Sequence, residues 1–268
     1  MTVEELLAQV GGSVSGGLQY VGALAELSGR AAYFTFIGPF RGKPLRIQSS
    51  VTQAMEIGVR ALPILSLITF FIGLILALQG AYELRTFGAL NLVPTAVALG
   101  MTRELGPLIT AILVIGRSGS AFAAEIGTMK VTEELDALKT MAIGPVPFLV
   151  TPKFIAMIVM VPCLTIWANF MGILGGAVFG VAEADFTVGR YIQASMDALF
   201  LRDIMTGLIK SLMFGVTIAA IGCHEGLSTG AGAEQVGRST TRAVVMSIFL
   251  VVMVDVIFTA IFFFMSPE

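Results

Sequence analysis

The sequence predicts an all-α integral membrane protein with five transmembrane helices, an interfacial helix at the N-terminus and an amphipathic helix in its longest cytoplasmic link. Two bulk observations carry the class. Of 268 residues, 56% are hydrophobic, with a mean hydropathy of +0.90. Only 13% are charged, against about 25% in soluble domains. The third observation sets the number of spans, since each needs roughly 20 mostly apolar residues. Residues 61–82 and 154–182 hold no charge. Residues 93–116 are broken only by Arg103 and Glu104, 204–223 only by Lys210, and 243–265 only by Asp255. With their ends, the spans read as about 61–82, 93–118, 153–182, 203–223 and 243–265.

Composition also narrows function. A net charge of −2 points away from nucleic acid. Cys163 and Cys223 lie in apolar runs and offer neither a disulfide framework nor metal-ligand spacing. A single His and a single Trp leave little for side-chain catalysis. Glu4, Glu5 and Glu26 replace the basic start and continuous apolar core of a signal peptide, so none is expected.

Lysine and arginine placement sets the orientation. The regions before the first span and in the second-to-third and fourth-to-fifth links carry eleven: Arg30, Arg41, Lys43, Arg46, Arg60, Arg117, Lys130, Lys139, Lys153, Arg238 and Arg242. The opposite side carries three, Arg85, Arg190 and Arg202. The N-terminus is therefore expected in the cytoplasm and the C-terminus outside. Residues 18–37 mix apolar positions with Gln19, Glu26 and Arg30 before Gly38-Pro39. They are too polar to span and read as an interfacial helix, with a poorly ordered tail as the alternative.

The stretch TEELDALKTMAIGP, residues 132–145, carries helix start and stop signals in order. Thr132 is the expected N-cap, Glu133 and Glu134 fill the first turn, Lys139 lies near the last, and Gly144-Pro145 ends it. Leu135, Leu138 and Met141 or Ala142 share one stripe of a helix of about three turns. Such a helix either lies on the membrane or plugs into a soluble partner.

Charges in hydrocarbon are expensive. At a rise of about 1.5 Å per residue, Arg103, Glu104, Lys210 and Asp255 all fall roughly 10–15 Å from the outer surface. Two cations and two carboxylates at one depth can neutralise one another. They are either ion pairs that fix packing or a polar patch on a substrate path. Pro107 cannot donate to the carbonyl of Arg103 and crowds it, so a kink with a bare acceptor is expected there. Irregular backbone at that depth requires protein or a water-filled cavity beside it. Gly172, Gly176 and Gly180 form a double GxxxG for close helix contact, and Gly73 and Gly80 read as packing positions too. GLSTG, residues 226–230, matches the nucleophile-elbow pattern, but His224 precedes it. It reads as a flexible loop. No GxxxxGK[ST] occurs, so ATP has no P-loop in this chain.

From TRELGPLITAILVIGRSGSAFAAEIGTMKVTEELDALKTM onward the chain resembles the MlaE/YrbE family, the permease subunits of MCE-type ABC lipid transporters. The similarity runs from about residue 45 to the C-terminus and includes the RELGP block at 103–107, GRSGSAFAAEIGTM at 116–129, TEELDALKTM at 132–141, IKS at 209–211 and GRSTTRAVV at 237–245. It divides the chain into an N-terminal cytoplasmic or interfacial segment, 1–45, and a permease domain, 46–268.

The resemblance implies a homodimer in the inner membrane, a cytoplasmic ABC ATPase dimer holding the ATP and Mg, a periplasmic MCE hexamer and a possible STAS-domain subunit. This chain itself would hold no cofactor or metal. The helix at 133–143 becomes the coupling helix between the second and third spans, with Glu133, Glu134, Leu135, Asp136, Leu138, Lys139 and Met141 facing the ATPase. A phospholipid cavity would be lined by Leu76, Gln79, Glu83, Leu84 and Phe87, with Arg103, Glu104, Lys210 and Asp255 deeper. Two rival readings are a proton-coupled secondary transporter relaying through Glu104 and Asp255, and an intramembrane enzyme using Ser228 and His224.

Overall fold

The computed structural model describes residues 3–38, 46–183 and 187–264, and every element among them is helical. In chain order these are α1 (Val3–Phe36), α2 (Ile47–Gly58), α3 (Leu62–Thr86), α4 (Val93–Gly100), α5 (Gly106–Val114), α6 (Ser120–Val131), α7 (Glu134–Thr140), α8 (Thr151–Glu183), α9 (Val188–Ala198), α10 (Leu201–Leu227) and α11 (Ala233–Phe264). Five stretches are long and apolar enough to cross a membrane: Leu62–Thr86, Leu90–Val131, Val146–Ala182, Leu201–Leu227 and Ala233–Phe264. These are the five expected spans, most of them extended beyond the hydrocarbon length into the links. Pro39, Arg41, Lys43 and the boundary at residue 45 lie outside the described residues.

The second span departs from expectation at Pro107. The chain does not break there. It keeps helical dihedrals and widens into a π-helical turn at Met101–Leu105, where the Gly106 N–H donates to the Met101 carbonyl. Widening the turn before the proline relieves the crowding that a regular turn would impose. A second π turn, Ile115–Gly119, separates α5 from α6.

Close backbone approach holds the spans together. A Cβ on Gly73 of α3 would overlap the Gly172 carbonyl of α8, and one on Gly175 would overlap the Phe70 carbonyl. The double GxxxG is thus a packing surface. Its Gly176 and Gly180 accept the fully buried Tyr191 of α9, and Gly176 also meets Val97 of the second span. Gly80 differs from expectation, because among the described residues no atom beyond its own helical turn lies within 4 Å of its Cβ position. Helix α10 too is packed by its glycines: Gly207 meets the Thr102 carbonyl, Gly215 the Met157 carbonyl and Gly222 the Gly119 carbonyl. They stand seven to eight residues apart, so they share one face of α10.

The N-terminal helix is longer than expected, starting at Val3, and it is docked rather than disordered. Leu24, Leu27 and Ala31 are buried in the main core. Tyr20 donates to Glu225 Oε1 at 2.7 Å. Burial and that hydrogen bond push the Tyr20 phenol well above its ordinary range. GLSTG is no flexible loop: Gly226 and Leu227 finish α10, and Thr229 is buried with its hydroxyl donating to the Glu225 carbonyl.

Gly73→Val should cost about 3 kcal/mol through overpacking against α8, read as a lower melting temperature of the detergent-purified protein. Gly80→Ala, with open space at its Cβ, should leave that temperature unchanged or raise it.

Candidate functional site: an intramembrane ion cluster

Three of the four intramembrane charges converge on one ammonium group. Lys210 is 1% exposed. Its Nζ donates to Glu104 Oε2 and to Thr259 Oγ1, the latter at 2.7 Å, and lies 3.1 Å from Asp255 Oδ1. The second, fourth and fifth spans are therefore joined at one point. A cation so deeply buried is tolerable only when its charge and its donors are all answered. The Thr259 hydroxyl, one turn beyond Asp255, also reaches Glu104 at 3.3 Å.

Arg103 goes elsewhere. Its Nη2 and Nε lie 2.5 and 2.8 Å from Asp203 Oδ1 at the start of α10. Asp203 is buried, and its other oxygen accepts the Phe200 N–H at 3.0 Å, capping the helix. The expected mutual neutralisation of two cations and two carboxylates thus holds for Lys210, Glu104 and Asp255. For Arg103 the partner is a carboxylate at the end of the fourth span. Glu104 and Arg103 are neighbours in sequence, and the π turn that carries them sends them to different partners.

Arg103, Glu104, Arg202, Asp203, Thr206, Lys210, Thr259, Phe262 and Phe263 line a cavity of about 200 Å³. Counting Asp255, three cations face three carboxylates, so the cluster carries no net charge. The Arg103 side chain remains 51% exposed and Glu104 40%. Sequence reasoning missed Asp203 and Thr259. The available signals were an acid in the third position of a helix and a threonine four residues after an intramembrane aspartate.

The residues of the outer first span form a separate surface. Leu76 and Leu84 pack on a small cluster of Ala77, Ala81, Val93, Val97 and Met101. Gln79, Glu83 and Phe87 are exposed, and none of the five borders the ion cavity.

At the opposite end of the bundle, α7 has two turns rather than three. Thr132 is not its N-cap. It closes α6, its hydroxyl donating to the Thr128 carbonyl, and Glu133 takes the N-cap position in a left-handed conformation with φ 62°. Leu135 and Leu138 turn inward, whereas Met141 is 61% exposed. Ala142, with φ 58°, ends the stripe. Lys139 donates to Asp136 at 2.7 Å and holds that carboxyl below the usual carboxylate range. Glu133, Glu134, Asp136, Lys139 and Met141 thus remain on the open face. His224 stacks edge-on against Tyr20 at 5.2 Å rather than engaging the Ser228 hydroxyl.

Five apolar spans, three of them tied through a sealed lysine beside an open polar cavity, define a polytopic α-helical membrane protein built around an intramembrane ion cluster. The sequence pattern of the family described as Permease MlaE matches residues 50–261, and the chain belongs to that family. It is 40% identical over 220 residues to a probable ABC transporter permease protein of Rickettsia prowazekii, covering 82% of this chain and 85% of that one. It is 37% identical over 239 residues to the intermembrane phospholipid transport system permease protein MlaE of Haemophilus influenzae, covering 88% and 91%. It is 35% identical over 216 residues to the chloroplastic protein TRIGALACTOSYLDIACYLGLYCEROL 1 of Arabidopsis thaliana, covering 81% and 62%. The protein is accordingly a multi-pass transporter permease.

Lys210→Met should cost about 3–5 kcal/mol of stability, since it strands two carboxylates against one another. Adding Glu104→Gln should restore part of that loss, and thermal unfolding of the three proteins checks both.

Proposed function

We propose that this permease moves a phospholipid as the membrane subunit of an MCE-type ABC transporter. The carrying observation is the neutral ion cluster, which opens its Arg103–Glu104 edge at membrane depth onto a cavity. Half-exposed charges at that depth cost several kcal/mol against hydrocarbon. A second copy of the chain facing this edge removes that cost and encloses a space. Only 11% of the most apolar window of α11 and 22% of that of α3 are buried within one chain, leaving apolar surface for such a partner and for acyl chains. Arg103 then meets a phosphate, while Leu76, Leu84 and Phe87 offer apolar wall and Gln79 and Glu83 its rim.

The energy source sits at the α7 end. Leu135 and Leu138 anchor α7 to the bundle, and its open acidic face with Met141 suits a cleft on an ATPase that carries the nucleotide and Mg. Closure of an ATPase dimer would press α7 and, through the continuous second span, move the turn that holds Arg103 and Glu104. This reading places α7 and the N-terminus in the cytoplasm, the C-terminus in the periplasm and the protein in the inner membrane. An MCE hexamer would receive lipid on the far side, with a STAS-domain subunit on the ATPase.

Reconstituted with its ATPase and MCE partners, the Arg103→Glu, Glu104→Arg exchange should lower ATP-dependent phospholipid transfer by about tenfold or more, the scale of a lost charge-assisted contact. Transfer that continued at the parental rate, or that followed a proton gradient after ATP depletion, would return the proton relay through Glu104 and Asp255 to first place. On the other face, Met141→Asp with Glu134→Lys should abolish copurification of the ATPase while leaving the melting temperature of the permease unchanged.

A further inference from the structure

A second cavity, of about 310 Å³, lies between α2 and the α5–α6 junction and shares no residue with the ion cluster. Gln53, Glu56 and Arg60 line one wall, and Arg117, Ser118 and Glu125 the other. Its carboxylates are already engaged. Glu56 accepts from Arg60 at 2.8 Å, and Glu125 accepts at 2.6 Å from Lys153, which is 1% exposed and lies over the Phe122 ring. Arg117 is half-buried and has no ion-pair partner among the described residues. Two cations, Arg60 and Arg117, and two carboxylates, Glu56 and Glu125, line the cavity, and Lys153, outside the lining but paired with Glu125, leaves one positive charge in excess.

Arg117 lies within the π turn Ile115–Gly119 and lines this space. A partly desolvated guanidinium without a counter-charge lacks the anion its fork geometry fits best, a phosphate or carboxylate held by two parallel N–H bonds. The Gln53 amide supplies a further donor beside it. The surroundings say what the anion is attached to. Val51 and Met55 of α2 and Val59 just after it are each more than half exposed, and α2 leads directly into the first span. Basic pockets where spans leave the hydrocarbon suit acidic lipid headgroups.

We infer that the α2–Arg117 cavity binds the phosphate of an acidic phospholipid from the leaflet at the α7 end of the bundle, a site separate from any transport cavity at the ion cluster. Occupancy would tie α2 to the second span immediately before α6 and α7. The site stands independently of the transport reading, because binding and transfer are measured separately.

The test is native mass spectrometry of the purified full chain with added phosphatidylglycerol or phosphatidylcholine. The expected result is preferential retention of phosphatidylglycerol, reduced about tenfold in Arg117→Gln, partly recovered in Arg117→Lys and unchanged in Arg238→Gln, an exposed arginine on α11. Competition by sn-glycerol 3-phosphate at the lipid's own concentration would assign the site to a soluble phosphate ester. Failure to compete assigns it to the lipid headgroup. Equal retention of the two lipids, or equal phosphatidylglycerol retention by the parent and by a folded Arg117→Gln, would overturn the proposal. So would a changed oligomer mass in Arg117→Gln without a change in lipid, which would give the cavity to a second copy.

Discussion

A lysine sealed inside a membrane-depth core is the constraint on which the rest of this bundle turns. Lys210 has three donors and one charge, and the protein must answer all of them from within. Glu104 comes from the second span, Asp255 and Thr259 from the fifth, and Lys210 itself from the fourth. Their convergence sets the rotation of three helices about their axes. A helix turned by one residue, about 100°, would leave a bare ion facing apolar side chains. Apolar packing alone specifies rotation weakly in lipid, where the tails are as greasy as the side chains. The ion cluster supplies the specificity that hydrophobicity cannot.

Distance between helix axes is set by a different device. Carbonyl oxygens of α3, α8 and the second span press into the positions where glycines of neighbouring helices lack a Cβ. With rotation fixed by ions and separation fixed by glycines, the second span can afford two π turns. Each lies where a charge must be placed with care. The first carries Arg103 and Glu104 to opposite partners, and the second carries Arg117 away from the ion cluster. The same helix runs on through α6 to Val131, and α7 follows after the turn at Thr132 and Glu133, so the ion cluster and α7 stand at the two ends of one rod with two soft joints. Under the proposed coupling, that rod would carry motion from the α7 end to the ion cluster.

The docked N-terminal helix adds a second layer at the α7 end. Tyr20 and Arg242 both approach Glu225, which stands 4% exposed near the end of α10. Lys130 donates to the Leu227 carbonyl at 2.7 Å, so α6 is tied to the same end. Helix α6, which precedes α7, is thus tied to the core, while α7 keeps its acidic face open. Rigid support beneath an exposed helix suits the proposed ATPase contact, because a push on a loosely held helix would be dissipated.

Much of this was legible in residue order. Hydrophobic run lengths gave five spans, since the thickness of hydrocarbon dictates how many apolar residues a helix needs. The rarity of charge in those runs singled out Arg103, Glu104, Lys210 and Asp255, and their common depth predicted a pairing that Glu104, Lys210 and Asp255 make and Arg103 does not. Other features could not be read. Asp203 looked like an ordinary helix-start acid, and only the approach of the second span makes it the partner of Arg103. Pro107 announced a disturbance, but the expected kink takes the form of a π turn in which the Gly106 N–H donates to the Met101 carbonyl. Thr132 carried the local signature of an N-cap, yet the preceding helix claimed it as its own end. Depth, length and composition are properties of a chain along one axis, and the sequence by itself determined them. Which faces meet, and which charge answers which, depend on rotations about that axis, and only the packed bundle decided those.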